Sequence, residues 1–423
     1  MTGPRRTLPQ VAVASPPPFR LPAEHFIAAL IWLAVLAAAL PVLAPRLARG
    51  ELFAPAVFAL VHVAVLGVLA TTIFGALLQF VPGGLEVPLR SVRLGHLGFW
   101  SLQAGVVSLV AGFWVWHGWL QLAGWILVFV AVGAVSINVL PARRRSTHGK
   151  LVGLYLSVAH SALGLGMAVG LVRIGATLGW WSVDRLGLLA AHLQLGVVGF
   201  GTLTAVGVGS RMVPTFLLAQ GDDGFRLRLT LALATTGLVL FPLGAGFGWP
   251  GPTWAGAAAL GLAGVAILEL AARWFARKNR RLDPALRQIA AAFLGLAATL
   301  GWGIGLATDP GNLRRWAAYL AAATLGWLLM LVVGVLAKLL THLSYINLFR
   351  TMPGFARIGN PNLLLHPGWI NVALVLLALG AGGLPVAIER GYEGAALATA
   401  AVWSAGAALT LANFGRMMLR GRQ

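Results

Sequence analysis

Long apolar runs, broken by short polar punctuation, organise the whole chain. A helix needs about 20 mostly apolar residues to cross the bilayer core. Runs of that size fall at 26–44, 55–81, 92–116, 119–140, 151–177, 186–213, 227–247, 252–275, 285–307, 316–342, 369–388 and 394–415. Turn signals such as Pro82-Gly83-Gly84, Pro141-Ala142-Arg143 and Asp309-Pro310-Gly311 separate them. None of the runs alternates with period two, the signature of an outer-membrane barrel. The pattern predicts an all-α, polytopic membrane protein with twelve transmembrane helices, forming one domain over 23–423. Residues 1–22 are proline-rich and basic, and predict a flexible cytoplasmic tail. The first apolar run begins too far along the chain for a cleavable signal peptide.

Composition sharpens this. The chain has 423 residues, 59% hydrophobic and 10% charged, against roughly 25% charged in a soluble domain. That excludes a soluble enzyme or a disordered tail. No cysteine is present, so thiolate metal sites, disulfides and covalent haem c attachment are excluded as well. The net charge of +20 first suggests a nucleic-acid binder, but its distribution argues otherwise. With the N-terminus inside, cytoplasmic segments hold 22 of the 31 Lys and Arg, and outer loops hold 6. The excess marks orientation and faces anionic lipid. Both termini are expected in the cytoplasm, with the chain in a bacterial-type inner membrane. The bilayer is then the expected partner, and nucleic acid is not.

An internal repeat underlies the spans. "HVAVLGVLATTIFGALLQFVP" at 62–82 aligns with "QLGVVGFGTLTAVGVGSRMVP" at 194–214. Gly67 matches Gly199, Thr72 matches Thr204, Gly75 matches Gly207, and Val81-Pro82 matches Val213-Pro214. The tenth span echoes this with Gly326 and Gly334. Spans 2, 6 and 10 are four apart, so the chain reads as three pseudo-repeated groups of four helices. Small residues on one stripe allow close helix contact. Beyond the second glycine the three spans carry Gln79, Arg211 and Lys338; the last two read as cations snorkelling to headgroups.

Histidines inside spans mark candidate chemistry. His62, His96, His160 and His192 lie within spans, and His342 ends one. Spans 2 and 6 run in the same direction, and His62 and His192 sit at similar depth near the outer leaflet. They are the one pair placed to share a ligand. Neutral imidazole is a common axial ligand of haem iron. The alternative for each is an ordinary hydrogen bond to a neighbouring helix. Gln194 has the same two readings, contact with a bound ligand or an interhelical bond. No mid-membrane carboxylate of the kind proton-coupled transport commonly needs is present; Glu269 lies near an inner end.

The stretch "AHLQLGVVGFGTLTAVGVGSRMVPTF" at 191–216 resembles the His-x-His helix of the haem–copper oxidase subunit I superfamily. The resemblance is nearest to its cbb3-type members, and spans 2 and 6 also look like helices of NnrS-like membrane proteins, linked with haem, copper and nitric oxide stress. It implies twelve helices in three groups of four. In the oxidases the first His of the motif holds one haem, and the second holds another together with a His on helix 2. Here the first is His192, the second is replaced by Gln194, and His62 stands where the helix-2 ligand would be. The pattern lies on the sixth span, whereas the oxidases carry it on the tenth. No His-His pair occurs in the chain, so the copper site is missing. The resemblance implies a divergent member without an intact copper centre, holding one haem b or none, and acting in redox or nitric oxide-related chemistry. An electron-donor protein or quinol is the implied partner. It also implies that Arg314 and Arg315, in the loop before span 10, and Arg173, near the outer end of span 5, pair with haem propionates; the alternative is snorkelling. The other class of function is a haem-free transporter, metal-handling or assembly protein on the same fold.

Overall fold

A computed structural model describes residues 18–219, 223–349 and 364–420. Among them are twelve helices long and apolar enough to cross a membrane, and no strand. They are α1 (Arg20–Ala48), α2 (Pro55–Gly84), α3 (Val92–Trp114), α4 (Gly118–Arg145), α5 (Lys150–Thr177), α6 (Arg185–Leu217), α7 (Gly224–Phe247), α8 (Pro250–Ala276), α9 (Pro284–Thr308), α10 (Leu313–Tyr345), α11 (Pro367–Arg390) and α12 (Glu393–Leu419). Each corresponds to one expected span. The helix begins at Arg20, inside the stretch expected to be tail; residues 1–17 lie outside the described residues, as do Arg350, Arg357 and Arg422 of the basic-residue count. The end at which the odd-numbered helices finish is called here the upper end.

Helix caps fix several boundaries. The Asp184, Asp283 and Asn312 side chains accept backbone N–H groups at the starts of α6, α9 and α10, satisfying donors that a helix start leaves unpaired. The α3–α4, α7–α8 and α11–α12 hairpins pack tightly. Helix α1 lies along α2, α5 along α6 and α9 along α10, while α12, α4 and α8 lie on α1, α5 and α9 in turn. The most deeply buried span is α10.

The aligned glycines are the points where these neighbours cross. A Cβ on Gly67 would lie 2.7 Å from the Trp32 ring of α1, and one on Gly199 would lie 2.5 Å from Ala162 of α5. Gly326 meets Gly295 of α9 backbone to backbone. One step lower, Gly75, Gly207 and Gly334 face His25, Tyr155 and Ile289. Close backbone approach is the main source of helix adhesion in lipid, where side chains gain little by leaving apolar surroundings.

The sequence pattern did not foretell a second shared feature. Each of α2, α6 and α10 contains a π-helical stretch, at Val63–Ala70, Leu195–Thr202 and Ala322–Leu329. Such widened turns are uncommon and are often found at functional sites. Thr71 and Thr202 donate to carbonyls five residues back, Leu66 and Val197, at 3.0 Å each. Through these stretches α10 touches both α2 and α6. The latter two pack on each other mainly lower down, along Thr71–Gly84 and Leu203–Leu217. Above that contact they part.

Candidate functional site

The gap between the upper halves of α2 and α6 is a cavity of about 190 Å³, closed by α3, α4 and α5. Its walls are apolar and aromatic, including Phe58, Phe113, Trp116, Trp125, Met167 and Phe200. Polar groups reach it at few places: His62, His192, Arg173, Gln121 and Thr177. Gln121 is already engaged, donating to the Gly112 carbonyl at 3.1 Å.

The two histidines face one another across this space, with ring centres 6.3 Å apart and ring planes inclined by 31°. Each is fixed by its Nδ1. His62 Nδ1 lies 2.8 Å from the Phe58 carbonyl one turn back on α2. His192 Nδ1 lies 2.8 Å from the Gly166 carbonyl of α5, within reach because Gly166 and Gly170 keep that face of α5 bare. A carbonyl can only accept, so Nδ1 is the protonated nitrogen in each ring and Nε2 carries the lone pair. Among the described residues no hydrogen bond engages either Nε2. Phe113 packs on the His62 ring at 4.6 Å and holds its plane.

This arrangement suits ligation. An Nδ1–H anchored on a carbonyl sets tautomer and ring orientation for an Nε2 ligand. Two imidazoles in line on one ion, each with a metal–nitrogen bond of about 2.0–2.1 Å, have ring centres roughly 6 Å apart. The observed spacing matches. Two imidazoles are too few to fill the four positions a zinc ion usually takes. They are enough for a metal that brings its own planar ring. Among the described residues no cluster of three or more His, Cys, Asp or Glu is placed to hold a metal ion.

Arg173 stands at the upper end of the cavity. Its guanidinium lies 5.2 Å from the centre of the Phe58 ring and donates to the Arg185 carbonyl at 3.1 Å. With no acidic partner in contact among the described residues, it offers donors to a carboxylate reaching the top of the space.

The remaining expected site residues lie elsewhere. Gln194 is buried and bonded to the Tyr319 hydroxyl of α10 at 3.1 Å, which is the interhelical reading. Arg315 pairs with Glu389 at 2.9 Å and donates to the Gly305 carbonyl at 3.0 Å. Arg314 packs against Gly391 and Gly50 at the upper turns. Neither arginine lines the cavity. Lys338, expected to snorkel, instead pairs with Asp283, which caps α9. His96 pairs with Glu24. His160 is buried, bonded through Nδ1 to the Leu156 carbonyl at 2.8 Å, and set edge-on to Phe200 at 6.1 Å; its ring lies beyond the cavity wall. Three groups that shape the site carried no signal in the sequence: the Gly166 carbonyl, Phe58 and Phe113. They act through contact between helices, which no local pattern records.

No known protein-family model matches the chain, and no curated protein matches it significantly.

Proposed function

We propose that this integral membrane protein binds haem b between α2 and α6, where His62 and His192 would hold it, and takes part in redox or nitric oxide-related chemistry without a copper centre. The observation that carries the reading is the pair of anchored imidazoles, 6.3 Å apart across an apolar cavity. The Nε2 atoms of His62 and His192 have no hydrogen-bond partner among the described residues, and both residues line one cavity, so a shared ligand would engage the pair. The three π stretches and the matched glycine crossings support the kinship of α2, α6 and α10 that the superfamily resemblance implies.

When bound, the haem would supply a one-electron couple. The chain's own part follows from its geometry. The Phe58 and Gly166 carbonyls hold Nδ1 of His62 and His192, leaving Nε2 as the lone-pair nitrogen of each ring at the cavity wall. Phe113, Trp125, Met167 and Phe200 exclude water, which sets the polarity around the site. Arg173 orients an acidic substituent at the upper end.

The test is a reduced-minus-oxidised optical spectrum of the purified protein. A Soret and an α band are expected, lost in His62→Ala and in His192→Ala and kept in His160→Ala. Absence of both bands after haem supplementation refutes the reading.

A further inference from the structure

Five of the odd-numbered helices end at the upper end in the same turn. Its signature is an N–H donating to the carbonyl five residues back: Glu51 to Arg46, His117 to Gly112, Trp180 to Gly175, Trp249 to Gly244 and Tyr392 to Ala387. This closure forces the residue just before the donor into the left-handed region, where glycine is the usual occupant because a Cβ is disfavoured there. The chain follows the rule after α1, α5, α7 and α11, with Gly50, Gly179, Gly248 and Gly391 at φ between +69° and +78°. After α3 the same position holds Trp116 at φ +53°. A bulky residue is disfavoured in that conformation; the chain holds one other in the same closure, Leu218 at φ +52° after α6, which does not line the cavity.

Interfacial anchoring does not account for Trp116 at this position. After α7 and α11 the belt aromatics Trp249 and Tyr392 sit one residue later, with glycine keeping the turn. What sets the α3 turn apart is that the residue at its left-handed position itself lines the histidine cavity, whereas the turns after α1 and α5 reach the cavity only through Leu52 and Thr177. The Trp116 indole stacks on Phe58, with ring centres 6.0 Å apart and planes inclined by 30°. Arg173 also lies against the Phe58 ring. The indole thus forms part of the upper wall while remaining 46% exposed, and it is attached to a two-helix turn and not to a helix body.

We propose that Trp116 is the movable wall of the histidine cavity: a flat, largely apolar ligand passes between α2, α3 and α5 from the upper leaflet when the indole swings off Phe58, and the returning indole retains it. The inference rests on the cavity being a ligand site, and not on which group it holds.

The natural absence of cysteine gives a direct test. Val65→Cys puts one thiol on the cavity wall, and its reaction with N-phenylmaleimide in detergent-solubilised protein is followed by intact mass. In the Trp116→Gly background the rate should rise at least tenfold, while Trp116→Phe should stay near the parent. The thermal midpoint of Trp116→Gly should be equal or higher, since glycine suits the turn. A second thiol, Val42→Cys on the exposed face of α1, should react at the same rate in all backgrounds. An unchanged Val65→Cys rate in Trp116→Gly overturns the proposal, and so does a lowered midpoint, which would make the indole a packing element. Haem content does not enter the readout, so a failed optical test leaves this one intact.

Discussion

The bond between Gln194 and Tyr319 decides whether Gln194 belongs to the ligand or to the scaffold. Both side chains are buried, at 6% and 7% exposure. The amide and hydroxyl meet at 3.1 and 3.2 Å, a neutral pair of ordinary length. Within a bilayer such bonds couple by about 0.6 kcal/mol on average and up to about 1.7 kcal/mol, because the unfolded helices also find partners. Removing one member adds the cost of the orphaned group, about 1–3 kcal/mol. Tyr319→Phe should therefore destabilise the protein by about 1–2 kcal/mol, and Gln194→Leu by a similar amount. The double variant should fall short of the sum by about 0.5–1.5 kcal/mol. The assay is equilibrium unfolding in mixed micelles of dodecyl maltoside and SDS, followed by ellipticity. Strict additivity would refute the bond as a scaffold element. So would a Gln194→Leu protein of parental stability whose haem band is shifted, for then the amide acts on the ligand.

Other consequences are as direct. Gly295→Ala should abolish the folded, monodisperse protein on size exclusion, because its Cβ runs into the Gly326 backbone, whereas Gly196→Ala meets nothing within 4 Å and should gain up to about 1 kcal/mol from helix propensity. Gly67→Ala should lower the unfolding midpoint by crowding Trp32, and Trp32→Leu in the same chain should restore part of the loss. Arg315→Gln should lower the unfolding midpoint only slightly, since its pair with Glu389 is partly open to solvent, and should leave any haem spectrum unchanged.

The amino-acid pattern reveals the twelve spans because lipid requires each segment to satisfy its own backbone bonds and to be apolar over its whole length. Helix boundaries were least legible at α1, which begins at Arg20 and not 26, and at α4, which runs on to Arg145 and not 140. Charged residues there extend the helices beyond their apolar runs, as Arg20 and Glu24 do at the start of α1 and Arg143, Arg144 and Arg145 at the end of α4. Depth along the helix was enough to bring His62 and His192 to one level. It could not show that Arg315 would find Glu389 and Asp309, since both acids lie far from it in sequence or in another turn. Gln194 had two readings because its partner, Tyr319, is 125 residues away. The π stretches were invisible: no composition distinguishes "VAVLGVLA" as π rather than α.

Those stretches also correct how the repeat relates to the site. His62 and His192 lie on matching helices but not at matching positions. The residue just before each π stretch is His62, Gln194 and Ala321, and three before its start stand Leu60, His192 and Tyr319. The first position of one helix meets the second position of the next. His62 of α2 faces His192 of α6, Gln194 of α6 bonds Tyr319 of α10, and Ala321 of α10 shares with Leu60 of α2 the walls of a small void of about 40 Å³. One slot geometry is thus filled in three ways. Between α6 and α10 a hydrogen bond shuts it, and between α10 and α2 aliphatic packing nearly fills it. Between α2 and α6 the two side chains keep their outward nitrogens unpaired and the space stays open. The three pairings differ in the residues that meet, and of the two spaces the larger, about 190 Å³ against about 40 Å³, lies where His62 meets His192.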